Sequence, residues 1–175
     1  MSFTSEEGRG TTFVARLPAS TQRAARPAPS AAEVPAAAGG TALVLDDDEL
    51  VRNVTRRMLE RWGFEVVVVA EGRSAVDRYG DRLRSGRPFD LVVLDLTIVG
   101  GMGGRQAFTE MRQLDPHVRA IVASGYSDDP ILAHYREAGF AAALAKPFRS
   151  ADFAQAVNAA FGRHRVGELR SAEGS

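Results

Sequence analysis

Thr41-Ala42-Leu43-Val44-Leu45-Asp46-Asp47-Asp48-Glu49-Leu50-Val51 decides the fold. Ala42 to Leu45 run apolar without a break and stop at three carboxylates. So short and so apolar a run reads as a strand buried on both faces. The residues after it follow another period. Leu50, Val51, Val54, Met58 and Leu59 recur at helical spacing, with Arg52, Arg56 and Arg57 off that stripe. Gly63 ends the helix. The chain therefore passes from strand to helix across an acidic turn.

The same alternation continues outward. Val66 to Val69 form a second strand, and Ser74 caps a helix carrying Ala75, Val76, Tyr79 and Leu83. Gly86 and Pro88 stop it. Leu91 to Leu94 make a third strand that ends at Asp95. The turn Gly100-Gly101-Met102-Gly103-Gly104 then leads into a helix with Ala107, Phe108, Met111 and Leu114. Ala120 to Ala123 form the fourth strand, ending at Ser124, and a short helix spans about 130–138. Ala142 to Ala145 form the fifth, ending at Lys146-Pro147. Ser150 caps a last helix with Phe153, Val157 and Phe161 on one stripe. Five nearly all-apolar strands alternating with five helices predict a three-layer, doubly wound α/β domain with a five-stranded parallel sheet. Ligands of such sheets bind beyond the carboxyl ends of the strands.

Composition bounds the rest. The chain has 175 residues, one domain's worth plus extensions. Lys and Arg total 22, as do Asp and Glu, so no net charge draws the chain to nucleic acid or to an acidic membrane. There is no cysteine, which excludes disulfides, thiolate metal sites and cysteine nucleophiles. No apolar run approaches a bilayer span, and Glu6, Glu7 and Arg9 stand where a signal peptide would be apolar. A cytoplasmic chain without membrane contact is expected. Residues 1–19 are mixed. Residues 20–40 are rich in Ala, Pro, Ser and Gly and read as a flexible linker. The domain occupies 41–163, and 164–175 is a disordered tail.

Four strands deliver chemistry to one edge: Asp46, Asp47 and Asp48 from the first, Asp95 from the third, Ser124 from the fourth and Lys146 from the fifth. Carboxylates this close repel unless a cation sits among them. Oxygen ligands with positions open for water and phosphate suit Mg2+. Asp95 is then placed as a nucleophile able to form an acyl phosphate. Lys146 can pair with a phosphoryl oxygen and the Ser124 hydroxyl can donate to another. Such positioning and charge neutralisation is what phosphoryl transfer requires.

Leu43-Val44-Leu45-Asp46-Asp47-Asp48-Glu49, Leu94-Asp95-Leu96-Thr97, Ala123-Ser124-Gly125-Tyr126-Ser127 and Lys146-Pro147-Phe148 resemble, in order and spacing, the four signature segments of response-regulator receiver domains. The resemblance covers about residues 41–163. It implies the flavodoxin-like strand order 2-1-3-4-5. It implies that Asp47 and Asp95 bind Mg2+ directly, that Asp46 acts through water, and that the Thr97 backbone carbonyl adds a ligand. It implies that Asp95 takes phosphate from the histidine of a partner kinase or histidine phosphotransfer protein, and that the Lys146–Pro147 bond is cis. Ser5-Glu6-Glu7-Gly8-Arg9-Gly10-Thr11-Thr12-Phe13 and Leu17-Pro18 resemble the last glycine turn and strand of a histidine-kinase ATP-binding domain. Together the two resemblances point to the C-terminal part of a hybrid histidine kinase. Residues 1–19 would be a remnant that is disordered here and holds no nucleotide alone, and the kinase core would lie outside this chain. The chain would then be no enzyme beyond its own phosphorylation and dephosphorylation.

Two positions depart from the family pattern. Val99 replaces a common proline, and Ala143 stands where Tyr or Phe usually changes rotamer on phosphorylation. The latter predicts an altered conformational readout, or a degenerate receiver that serves only as an interaction module. An aspartyl-phosphate hydrolase of the haloacid-dehalogenase type would use Asp46 and Asp48, but Leu50 stands where it needs a small residue. A DNA-binding regulator would need an output domain that the residues from His164 onward are too few to build. His117, His134 and His164 show no metal-ligand spacing. Oligomeric state is not set by the sequence.

Overall fold

A computed structural model describes residues 2–14, 16, 35, 39–98, 100–125 and 129–162. The chain divides into two units, Met1–Ser30 and Ala31–Ser175.

In the first unit, β1 (Ser2–Glu6) pairs antiparallel with β2 (Gly10–Val14). Gly8 and Gly10 sit at φ 78° and 93°, a region that costs residues with a Cβ. The turn is therefore written in the sequence. An extension expected without order is a hairpin over these residues, because Thr, Phe and Val alternate about a glycine turn. Phe3 packs across the strands on Phe13, with ring centroids 5.9 Å apart. Leu17, Pro18, most of the expected 20–40 linker and the 164–175 tail, with His164, lie outside the described residues.

In the second unit the elements are β3 (Gly40–Leu45), α1 (Glu49–Arg61), β4 (Phe64–Val69), α2 (Gly72–Arg84), β5 (Leu91–Asp95), α3 (Gly104–Leu114), β6 (Ala120–Ser124), α4 (Pro130–Ala133), β7 (Ala142–Ala145) and α5 (Ser150–Gly162). The sheet order is β4-β3-β5-β6-β7 and every pairing is parallel. Counted within this sheet, that is the expected 2-1-3-4-5.

Alternation along each strand feeds two cores. Ala42, Val44, Leu91, Val93 and Ile121 face one side with Leu59, Trp62, Phe153 and Val157. Leu43, Leu45, Val92, Leu94 and Val122 face the other with Tyr79, Phe108, Met111 and Phe140. Each large apolar side chain fully buried here contributes roughly 1.5–3 kcal/mol. With both faces covered, the sheet's polar edge is its C-terminal rim, where the site lies.

Local readings shift by a turn or less. Ser74 lies inside α2, whose N-cap is Glu71, since Gly72 already starts the helix beneath the Met102 carbonyl. α5 starts at Ser150 itself, and the Asp152 carboxylate takes the Arg149 amide at 3.1 Å. α4 ends at Ala133 and continues to Gly139 as turns. The α1 stripe is also rotated: Thr55 and Leu59 are buried, while Leu50 and Val54 face outward. Leu114, at the end of α3, is exposed too.

Candidate functional site

The β3 rung ends at Leu45, opposite Val69 and Leu94. Asp46 follows and is almost fully buried, with its amide donating to the Val69 carbonyl at 3.2 Å. Its Oδ1 accepts the Asp48 amide at 3.0 Å. Asp48 is the N-cap of α1, taking the Leu50 and Val51 amides at 2.8 and 3.3 Å. It is thus committed to the helix start. Asp47 is exposed.

Asp95 closes β5 and is buried; its Oδ1 accepts the Thr97 amide at 3.3 Å. The rungs continue past it, with Asp95 opposite Ala123 and Ser124 opposite Ala145. Ser124 is fully buried one residue beyond Asp95's partner, and its carbonyl takes the Lys146 amide at 2.7 Å. That bond aims Lys146 back across the rim. Its ammonium reaches Asp46 Oδ2 at 2.5 Å and Asp95 Oδ2 at 2.9 Å. The Lys146–Pro147 bond is cis, as the resemblance implies. Ligand oxygens of Asp46, Asp47 and Asp95 all lie within 4.8 Å of one another.

Electrostatics follow from the packing. Burial raises the Asp95 carboxyl above its usual range, and the charge of Asp46 adds to this; Lys146 and the Thr97 amide oppose it. For Lys146, burial acts to lower the ammonium, but hydrogen bonds and charge from Asp46 and Asp95 outweigh it and hold the group above its usual value. Three carboxylates face one ammonium, so the cluster is two charges short of neutral. A hard divalent cation with oxygen ligands fits that deficit.

The structure brings Asp46, Asp47, Asp95, Ser124 and Lys146 to one rim. Thr97 is there through its amide, while the metal-ligand role of its carbonyl remains an expectation. Val99, Tyr126 and Ser127 lie outside the described residues. His117 and His134 are exposed and far apart in the chain. Ala143 is half-buried and lines a depression with Tyr135, Pro147 and Gln155.

Two contributors escaped the sequence reading. Gly104 stands where a Cβ would run into the Asp95 carbonyl oxygen, so the glycine-rich turn lets α3 start directly behind the acidic strand end. Arg52, read as off the helical stripe, donates from Nη1 to the Asp46 carbonyl at 2.6 Å. Its position one turn into the helix, six residues past Asp46, was the available signal. Beside the rim, Leu50, Val51, Val54, Lys146, Pro147 and Phe148 line an apolar groove of about 440 Å³.

Known proteins match this arrangement. The family model for the response regulator receiver domain matches residues 42–158. Chemotaxis protein CheY of Bacillus subtilis is 32% identical over 117 residues, which cover 66% of this chain and 92% of that protein. Sensor kinase CckA of Brucella abortus is 29% identical over 161 residues, covering 87% of this chain and 17% of the kinase. The crystal structure of the CheX-CheY-BeF3-Mg+2 complex from Borrelia burgdorferi shares the fold at TM-score 0.64 and 22% identity, covering 71% of this chain and 90% of that one.

Proposed function

The chain belongs to the response regulator receiver domain family of two-component signal transduction, and from that premise we propose that Asp95 is its phosphoacceptor. The carrying observation is the pairing of one ammonium, Lys146, with both buried carboxylates, Asp46 and Asp95. That geometry holds Asp95 ready beside a positive charge that an incoming phosphoryl group would share.

The donor is a phosphohistidine of a histidine kinase or a histidine phosphotransfer protein. An Asp95 carboxylate oxygen attacks phosphorus, the N–P bond breaks, and its electron pair returns to the imidazole. Lys146 moves its ammonium from Asp95 to a phosphoryl oxygen, and Ser124 donates its hydroxyl to another. Asp46, Asp47, Asp95 and the Thr97 carbonyl are the residues that would hold Mg2+. When bound, the ion neutralises charge between Asp95 and the arriving phosphoryl group. The exposed Leu50 and Val54 give the donor protein an apolar rim to rest on beside Lys146. Neither DNA nor a membrane is a partner in this reading; no described helix is long and apolar enough to cross a membrane.

The chain acts on no substrate beyond its own phosphorylation and dephosphorylation. Residues 41–163 form the receiver, 20–40 a linker, 164–175 a tail, and 1–19 the end of a kinase ATP-binding domain, as in a hybrid histidine kinase. The β1–β2 hairpin supports the last assignment. So does the match to CckA, which runs over 161 residues against the 117 of the receiver alone.

Phosphoramidate, whose N–P bond stands in for phosphohistidine, tests the site. With Mg2+ it should phosphorylate the chain, and borohydride trapping of the acyl phosphate should mark Asp95. Trapping at Asp46 or Asp47 would overturn the assignment.

A further inference from the structure

The geometry points to Arg52 as a positioning residue that presets the acidic turn for its cation. This rests on the reading of Asp46 and Asp47 as the cation site.

Asp46 is tied at every polar atom. Its amide goes to Val69, its Oδ1 to Asp48, its Oδ2 to Lys146, and its carbonyl to Arg52. The first three bonds fix the residue itself. The fourth does something different. The Asp46 carbonyl belongs to the same planar peptide unit as the Asp47 amide. Fixing that oxygen fixes the plane from which Asp47 departs. Asp47 is exposed, so packing does little to aim its side chain. The Asp46 carbonyl also lies one residue past the last β3–β5 rung, Leu45 opposite Leu94. A side chain one turn into α1 thus does what the ladder no longer does. The bond is charge-assisted and short, at 2.6 Å.

Arg52 also brings a positive charge toward a site that attracts cations. Charge alone predicts that removing it tightens Mg2+ binding. Positioning predicts that removing it weakens binding. The two effects have opposite signs, so affinity decides between them. Groups that orient metal ligands from outside the coordination sphere typically change affinity roughly 10–100-fold.

The test is Mg2+ titration by calorimetry on the whole chain, with amide hydrogen exchange at Asp47 and Asp48 in the metal-free protein. Arg52→Ala should weaken Mg2+ binding about tenfold and speed exchange at both amides. Arg52→Lys, which keeps a charged donor, should recover part of the affinity. Arg56→Ala, on the same helix and bound to Asn53 and Glu60, should bind as the wild type does. Should Arg52→Ala not fold, Arg52→Gln and Arg52→Lys carry the same comparison. Equal or tighter binding in Arg52→Ala, or in Arg52→Gln where the alanine variant does not fold, would overturn the role of Arg52. A wild type that binds no Mg2+ would instead overturn the cation reading and this inference with it.

Discussion

The Lys146 ammonium lies 2.9 Å from Asp95 Oδ2. The same nitrogen touches Asp46. One cation thus holds together two buried carboxylates from strands that are neighbours in the sheet and far apart in the sequence. Removing it leaves acids facing acids in a desolvated corner. Lys146→Met should destabilise the metal-free protein by about 3 kcal/mol, the scale for breaking a buried pair. Mg2+ should restore much of the loss. Urea denaturation with and without Mg2+ measures both, and equal losses in the two conditions would contradict the account.

Stability should also depend on pH through Asp95. Burial, seconded by Asp46, raises its carboxyl in the folded protein. Its contribution is therefore complete below the ordinary carboxylate range and is lost as pH rises through the raised folded value. The stability of wild type minus that of Asp95→Asn should fall as pH rises above the ordinary carboxylate range without Mg2+. Saturating Mg2+ should flatten the fall, because the ion favours the ionised form. Denaturant midpoints across that pH range for both proteins provide the check; a difference that grows with pH would refute it.

Cation binding should be visible as stability in itself. At a Mg2+ concentration of 100 times Kd, linkage gives about 2.7 kcal/mol. Thermal melts should rise with Mg2+ and stop responding in Asp47→Asn, the exposed ligand whose loss disturbs packing least. A wild-type melting temperature indifferent to Mg2+ would contradict the expectation.

Much of this was legible in the sequence. Strands that are apolar throughout and stop on Asp46, Asp95, Ser124 and Lys146 announce a parallel sheet with one chemical edge. Asymmetry between helix faces was not legible in the same way. Leu50 and Val54 fit the apolar stripe of α1, yet Thr55 is buried in their place, on the helix face it shares with Leu59 of the core. Arg52 and Gly104 were missed for another reason. Each acts on a backbone carbonyl, and a carbonyl leaves no mark in residue patterns.

Gly104 yields a prediction from that class. A methyl there meets the Asp95 carbonyl, which backbone cannot relieve without moving the strand end. Gly104→Ala should cost about 2–4 kcal/mol and slow phosphorylation more than Gly162→Ala, whose added carbon meets nothing within 4 Å. Urea midpoints and phosphoramidate kinetics on both variants decide it.

Ala143 bears on the readout. It is half-buried beside Tyr135 in an open depression of about 490 Å³ that can admit a ring. Ala143→Tyr should phosphorylate as the wild type does and show larger phosphorylation-dependent amide shifts on α4 and β7. Unchanged shifts would show that position 143 does not limit the response.

The most direct measurement is intact mass after incubation with Mg2+ and acetyl phosphate. The account predicts one phosphoryl adduct, base-labile, absent without Mg2+ and absent in Asp95→Asn. A folded wild type that stays unmodified, or an adduct that survives in Asp95→Asn, would contradict it.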